Sequence, residues 1–370
     1  VTVYLMAGGG TAGHVNPLLA TADRLRERDP DAEVLVLGTA EGLEARLVPQ
    51  RGYELVTVPR LPFPRRPNGD ALRFPGRWRE SVERTRGILR DRGVEAVVGF
   101  GGYAAAPAYA AAHREGLPLV IHEANARPGI ANRYGARFTR HVATVFAGTR
   151  LRHARVVGLP LWREIETLDR FAARPDAADE FGLVPGRPTL LVTGGSLGAR
   201  RLNEGVSQSV ATILGAGWQV LHITGERSPV EDPGLVGYRI LRYCDRMDLA
   251  LAAADLALCR AGSATVSELA ALGIPAVFVP YAVGNGEQAL NAREAVDAGG
   301  ALLVPDADFD ASWVRDRLPR LLEDPALLAD MAARIAETGR RDGADRLVDM
   351  VQEAVASTPG AASATPAADG

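Results

Sequence analysis

The chain has 370 residues, 47% of them hydrophobic and 24% charged, with a formal net charge of −3. That length exceeds the usual size of a single core and predicts two domains, while the near-neutral balance supplies no global field for nucleic acid. All 42 basic residues are arginine, which removes Schiff-base, pyridoxal-phosphate and Walker A chemistry together, since each needs a lysine amine.

Short apolar runs alternate with helical patterns along almost the whole chain, so an α/β architecture with mainly parallel sheets is expected. The opening "VTVYLMAGGGTAGHVNPLLA" reads as a strand over 2–7, a glycine turn, and a helix over 15–25. Val15, Leu18, Leu19, Ala22 and Leu25 follow the i, i+3, i+4, i+7 stripe, with Pro17 suited to a first turn. The turn "GGGTAG" (8–13) matches G-x-G-x-x-G, and the free N–H groups of the helix that follows favour an anion. A dinucleotide is disfavoured, because the second strand (33–38) runs into "LVLGTAEG", with no carboxylate in place for a ribose and Glu41 too late. A tight turn with no ligand is the bland alternative.

Further strands are expected near 54–58, 96–100, 117–122 and 141–145. Segment 60–90 mixes many arginines with Leu61, Phe63, Leu72, Phe74 and Trp78. It fits an anionic membrane surface, or equally a solvated loop and helix whose aromatics pack inward. "GFGGYAAAP" (99–107) and "VIHEANARPGIANR" (120–133) follow strands. The second of these gathers His122, Glu123, Asn125 and Asn132 just past a strand end.

The same grammar restarts after a junction near 158–165, "GLPLWREI". "RPTLLVTGGSLGARRLNEGV" (187–206) is again strand, glycine turn, helix, and strands are expected near 219–224, 238–243, 256–259, 275–280 and 301–304. Ligands of open α/β sheets bind at the carboxyl ends of the strands, so two such halves predict a ligand cleft. Gly194, Gly195 and Gly198 open the second turn beside Ser196. In "CRAGSATVSELAALGIPAVFVP" (259–280) a small-residue turn starts a third such helix. Glu268 inside it could accept two hydrogen bonds from a ribose diol, or could close a capping box with Thr265. "YAVGNGEQALNA" (281–292) sets Glu287, Gln288 and Asn291 at a helix start. Cys244 and Cys259 lack metal-ligand spacing, and the six histidines form no H-x-x-x-H pair. No metal and no tightly bound cofactor is therefore expected. No apolar run nears the ~20 residues that span a bilayer, no signal segment is visible in the stretch from Val1, and a reducing cytoplasm is the expected compartment.

"GGGTAGHVNP", "HEAN…GIAN", "TGGSLGAR" and "CRAGSATVSELAALGIPA", in that order, make the sequence resemble the MurG family over about 1–350. These are lipid-linked N-acetylglucosaminyltransferases of bacterial peptidoglycan synthesis with the GT-B fold, two Rossmann-like domains facing across a cleft. The resemblance implies inverting transfer of GlcNAc from UDP-GlcNAc to the MurNAc 4-hydroxyl of undecaprenyl-pyrophosphoryl-MurNAc-pentapeptide (lipid I to lipid II). It also implies a peripheral place on the cytoplasmic face of the cell membrane, among cell-wall synthesis and division proteins. The domain scheme expected is 1–162 for acceptor and membrane, 163–340 for UDP-GlcNAc, a helix over 341–356 packing back on the first domain, and a disordered tail over 357–370.

Carried over by motif, the resemblance gives the uracil to the backbone at Cys244, the ribose to Glu268, and the diphosphate to Ser196 with the 263–265 helix start (Ala264, Thr265). The GlcNAc hydroxyls go to Glu287 and Gln288, and Asn125 also faces the donor. The acceptor pyrophosphate goes to Gly9, Gly10, Thr11, Ala12 and Gly13, with Gly101, Gly102 and Tyr103 beside them. One departure stands out: Trp162 occupies the slot where the family usually carries a donor-reaching arginine, and the donor contact is expected to pass to Arg163, which follows. His14 is the leading general base, with Glu123 second; donation by His14 to a phosphate is the alternative role. Competing functions are transfer to a soluble acceptor, UDP-GlcNAc 2-epimerisation, a nicotinamide oxidoreductase, and a scaffold at the division machinery.

Overall fold

A computed structural model describes residues 1–64, 69–228, 230–281 and 286–357, the side chain of Asp70 aside. The chain divides into two compact units, Val1–Trp162 with Asp342–Gly370, and Arg163–Arg341.

The first unit is built on β1 (Val3–Gly8), β2 (Glu33–Gly38), β3 (Glu54–Thr57), β4 (Ala96–Gly101), β5 (Leu119–Glu123), β6 (His141–Thr144) and β7 (Ala154–Val156). They form one sheet in the order β3-β2-β1-β4-β5-β6-β7, and every pairing is parallel. Parallel strands need crossovers that cover both faces, so both faces must be apolar. Along β1 and β2, Leu5, Ala7, Leu35 and Leu37 feed one core, and the alternate Tyr4, Met6, Val34 and Val36 feed the other. The chain enters at the centre, builds outward to β3, then returns to β4 on the other side of β1. That reversal opens a switch point at the carboxyl ends of β1 and β4. The three-residue edge strand β7 was not expected. It is too short to show a period, and its Arg155 is held at 2.7 Å by Glu353.

The second unit repeats the plan with β8 (Thr189–Thr193), β9 (Gln219–Ile223), β10 (Tyr238–Leu241), β11 (Leu256–Cys259), β12 (Ala276–Phe278) and β13 (Ala301–Leu303). Their order is β10-β9-β8-β11-β12-β13, parallel throughout, with the switch point between β8 and β11. The α/β, two-Rossmann expectation is borne out.

Helix Ala12–Arg28 begins earlier than its apolar stripe suggests, because the Thr11 carbonyl accepts from both His14 and Val15 N–H. Pro17 therefore lies past the first turn rather than in it. In segment 60–90, Leu61 is buried and Phe63 and Trp78 pack against the core. Phe74 stacks on both, with centroids at 5.6 and 6.0 Å, and Leu72 stands 86% exposed. Residues 65–68 of this segment, and the tail beyond Ser357, lie outside the described residues. Among the described residues no helix is long and apolar enough to cross a membrane.

Helix Gly343–Ala356 returns to the first unit, where Leu347, Val348, Met350 and Val351 enter the core beneath Met6 and Val36. Its acidic side meets helix Ala12–Arg28 through Arg28–Asp349 at 2.6 Å and Arg28–Asp345 at 2.5 Å, with Arg24 also on Asp345. Leu347 is fully buried. Leu347→Ala is expected to destabilise the first unit by about 2–5 kcal/mol, read as a lower urea midpoint by tryptophan fluorescence. An unchanged midpoint would mean that this helix is not part of the cooperative core.

Candidate active site

The loops that leave β1, β4 and β5 converge at the switch point of the first unit. Gly9 is wedged there: a β-carbon on Gly9 would lie 2.3 Å from Glu44 Oε1, and one on Gly102 would lie 2.5 Å from the Gly9 carbonyl oxygen. Gly10 (φ +87°) and Gly102 (φ +89°) adopt the left-handed conformation that glycine alone takes without strain. His14 lies in the first turn of the helix that follows. Its Nδ1 lies 3.0 Å from the Gly9 carbonyl oxygen and 3.2 Å from Thr11 Oγ1. A carbonyl can only accept, so Nδ1 carries the proton and Nε2 keeps its lone pair. Nε2 faces Gly101, where an added β-carbon would come within 3.3 Å. First-turn N–H groups of a helix have no intrahelical acceptor, which leaves Ala12 and Gly13 free to donate beyond the exposed Thr11. Tyr103 stands beside them, its ring beneath the Arg60 guanidinium at 4.6 Å.

Glu123 ends β5 almost fully buried. Its oxygens accept from Asn125 N–H, Gly129 N–H and Asn132 Nδ2, each at 2.9 Å. Asn132 in turn accepts from the buried Tyr109 hydroxyl at 2.7 Å. Burial raises the Glu123 pKa against the pull of those hydrogen bonds and of nearby His14. With three donors already on its oxygens, Glu123 shapes the loop 124–129 that carries Asn125. His122 points away from this set, donating from Nε2 to the Gly158 carbonyl at 3.2 Å. Burial drives its pKa down to about 4 and keeps it neutral.

In the second unit the loops after β8, β10, β11 and β12 carry the expected donor residues. Ser196 is exposed in the turn that Gly195 (φ +84°) and Gly198 (φ +83°) permit. A β-carbon on Gly198 would lie 2.2 Å from the Thr224 carbonyl oxygen, so this turn is pressed against the end of β9. The buried Asn203 holds the two together, donating to the Thr224 and Ser228 carbonyls at 2.9 and 2.7 Å. Cys244 is buried just past β10, and burial pushes its thiol up to about 11, so it stays protonated.

Helix Ser263–Leu272 is capped by Gly262 with no side-chain cap bond. That corrects the capping-box alternative: Thr265 lies inside the first turn, so Glu268 is not the partner of a cap. Packing around the Glu268 carboxyl raises its pKa to about 7. Arg260, at the end of β11, pairs with Asp306 at 2.5 Å and lies over the Tyr281 ring at 5.5 Å. Gln288 accepts from Tyr281 N–H at 2.8 Å, Glu287 opens the same short helix, and residues 282–285 before it lie outside the described residues. Trp162 packs on the core of the first unit under Arg51, 4.1 Å from its ring centroid. Arg163 is exposed and touches Glu166 at 3.3 Å. Among the described residues no group of three or more His, Cys, Asp or Glu side chains could hold a metal ion.

Sequence reasoning missed Glu44, Tyr109, Asn203 and Arg260–Asp306. Glu44 belongs to a helix remote from the glycine loop it touches, and no local spacing marks it.

Two Rossmann-like units with glycine turns at both switch points suit a nucleotide-sugar enzyme, and the family models make it a glycosyltransferase. The glycosyltransferase family 28 N-terminal domain matches residues 4–144 and the family 28 C-terminal domain matches residues 189–347. A UDP-N-acetylglucosamine--N-acetylmuramyl-(pentapeptide) pyrophosphoryl-undecaprenol N-acetylglucosamine transferase of Leifsonia xyli is 64% identical over 95% of this chain and 98% of its own. The transferase of the same name from Clavibacter sepedonicus is 59% identical over 97% of this chain and 98% of its own. The crystal structure of MurG from Acinetobacter baumannii superposes with a TM-score of 0.79 at 27% identity, covering 95% of this chain and 100% of that one. The chain belongs to glycosyltransferase family 28 and, within it, to the family of these N-acetylglucosamine transferases.

The hydroxyl of Tyr109 donates to the buried side-chain oxygen of Asn132 and so orients that amide. Tyr109→Phe should lower unfolding stability by about 1–3 kcal/mol, measured by urea titration. A neutral effect would show that the Asn132–Glu123 loop does not depend on it.

Proposed function

We propose that this chain moves N-acetylglucosamine from UDP-GlcNAc to the MurNAc 4-hydroxyl of undecaprenyl-pyrophosphoryl-MurNAc-pentapeptide, making lipid II from lipid I. The soluble-acceptor and epimerase alternatives give way because the 64%-identical relative, alike over nearly its full length, is named for that lipid-linked acceptor. The oxidoreductase alternative meets a physical objection: the Glu44 carboxyl fills the space between the ends of β1 and β2 and already takes the Gly10 N–H.

The observation that carries the mechanism is His14, whose imidazole has one nitrogen fixed by Gly9 and the other left basic. The first unit takes the acceptor, its pyrophosphate on the N–H groups of Thr11, Ala12 and Gly13, with Gly101, Gly102 and Tyr103 alongside. The second unit takes the donor, the uracil at Cys244 backbone, the ribose at Glu268, and the diphosphate at Ser196 and the Ala264–Thr265 turn. Glu287 and Gln288 meet the sugar, and Asn125 and Arg163 remain assigned to the donor. In the transfer, the 4-hydroxyl oxygen bonds to C1 as the C1–O bond to UDP breaks, inverting the centre. The proton goes to His14 Nε2, and the leaving charge goes to the diphosphate, where helix N-terminal N–H groups receive it. Glu123, with its oxygens engaged, acts by holding its loop.

A lipid-borne acceptor requires a membrane surface, and the arginine-rich helix Gly69–Asp91 with exposed Leu72 supports peripheral attachment there.

The test is release of UDP from labelled UDP-GlcNAc with a short-chain lipid I analogue. His14→Ala should cut turnover by about 10²–10⁴-fold while UDP binding survives; near-normal turnover would remove His14 from the chemistry. A second test uses pH. A ribose is held by the ionised Glu268, whose pKa in the free protein is about 7. UDP affinity should therefore fall as pH drops below that value, approaching tenfold per unit, and Glu268→Gln should abolish the dependence. Calorimetry showing the same slope in both proteins would separate Glu268 from the ribose.

A further inference from the structure

The geometry points to Glu44 as a positioning residue for the base: it acts on His14 through the Gly9–Gly10 peptide, so that carboxylate, peptide and imidazole form one hydrogen-bonded relay. This inference rests on the reading of His14 as base and deepens it.

A peptide unit has two polar ends, and both ends of this one are taken. Gly10 N–H donates to Glu44 Oε2 at 2.8 Å, and the carbonyl of Gly9, the other end of the same peptide, lies 3.0 Å from His14 Nδ1. Hydrogen bonds in series polarise one another. A full negative charge at the N–H end makes the carbonyl oxygen a stronger acceptor, which holds the proton on Nδ1 and keeps the lone pair on Nε2. When Nε2 takes the acceptor's proton, the imidazolium charge is met by that carbonyl and, beyond it, by Glu44. No proton travels through the peptide, and Glu44 stays ionised.

The surroundings of Glu44 fit this task. The residue is 1% exposed. Its other oxygen accepts from Thr39 N–H at 2.9 Å and Thr39 Oγ1 at 2.8 Å. Burial acts to raise its pKa, and hydrogen bonds from Gly10, Thr39 and its own N–H outweigh it, leaving the carboxyl below its ordinary range. Three glycines exist around it for steric reasons. β-Carbons on Gly9, Gly38 and Gly42 would lie 2.3, 2.5 and 2.1 Å from Glu44 side-chain atoms. A group ringed in this way cannot rotate, so its charge has one direction in which to act.

A double-mutant cycle on the full chain tests the relay. Glu44→Gln should lower kcat about ten- to a hundredfold and leave KM for UDP-GlcNAc within about twofold. In a His14→Ala background the same change should cost nothing further, because the group through which it acts is gone. Losses that multiply in the double variant would mark a merely structural residue and overturn the relay. So would wild-type kcat in Glu44→Gln beside an inactive His14→Ala. Full activity in His14→Ala would instead remove the base itself, and the relay with it. A readout independent of variant folding uses the wild-type chain with ¹⁵N-labelled histidine, where His14 should show the Nδ1–H tautomer above neutral pH. The Nε2–H tautomer would overturn the proposal.

Discussion

Parallel pairing constrains this molecule from its cores to its chemistry. A parallel strand cannot be followed by its neighbour without a crossover that covers the sheet, so β1, β4, β11 and β12 are buried along their whole length and carry almost no polar side chains. Polar chemistry is displaced to the strand ends, where the chain must turn into a helix and its first N–H groups have no internal acceptor. In each unit the central strand is followed on one side by an outward series and on the other by a return. That reversal leaves one place per unit where the crossovers from two neighbouring strands run off in opposite directions. Both glycine turns sit at those places.

Closeness there is bought with glycine. At the first switch point, the backbones after β1 and β4 approach until a β-carbon on Gly102 would collide with the Gly9 backbone. In the second unit the turn after β8 meets the loop after β9 in the same manner, with a β-carbon on Gly225 falling 2.1 Å from Gly198 N. Such contacts fix the loops without side chains, so the loops' own N–H groups keep their direction. The stabilisation that side chains would have given comes from behind, through buried polar groups. Glu44 and the Tyr109–Asn132–Glu123 chain do this in the first unit, and Asn203 with His222 does it in the second. His222 Nε2 bonds Asn203 Oδ1 at 3.1 Å and its Nδ1 accepts from the Tyr238 hydroxyl at 2.8 Å. Burial holds that imidazole neutral, with a pKa of about 4, so its tautomer is set by its partners.

Two residues at the unit boundary illustrate how context reassigns chemistry. Trp162, at the position where the motif led to the expectation of an arginine, is used for packing, one face on the first core and the other under Arg51. Arg163 is left exposed as the first residue of the second unit. In segment 60–90 most of the aromatic surface is spent on a ladder from Phe63 through Phe74 and Trp78 to Tyr134 and Phe138. Leu72 and the arginines around it are left to face outward.

By itself the sequence determined the alternation of strands and helices, the two-unit plan, the order of the glycine turns and, through four motifs in register, the family. These are local or periodic properties: apolar runs of strand length, helical stripes, and turns that only glycine can make. Tertiary structure decided which polar groups support which loop. Glu44 and Gly10 are 34 residues apart and Tyr109 and Asn132 are 23 apart. Their meeting depends on crossovers and strand order, which leave no trace in spacing. The capping-box reading of Thr265 and Glu268 failed for a local reason, the point at which the helix begins. A helix starts where its backbone finds acceptors and space, and here Gly262 caps it so that Ser263 begins the helix two residues before Thr265.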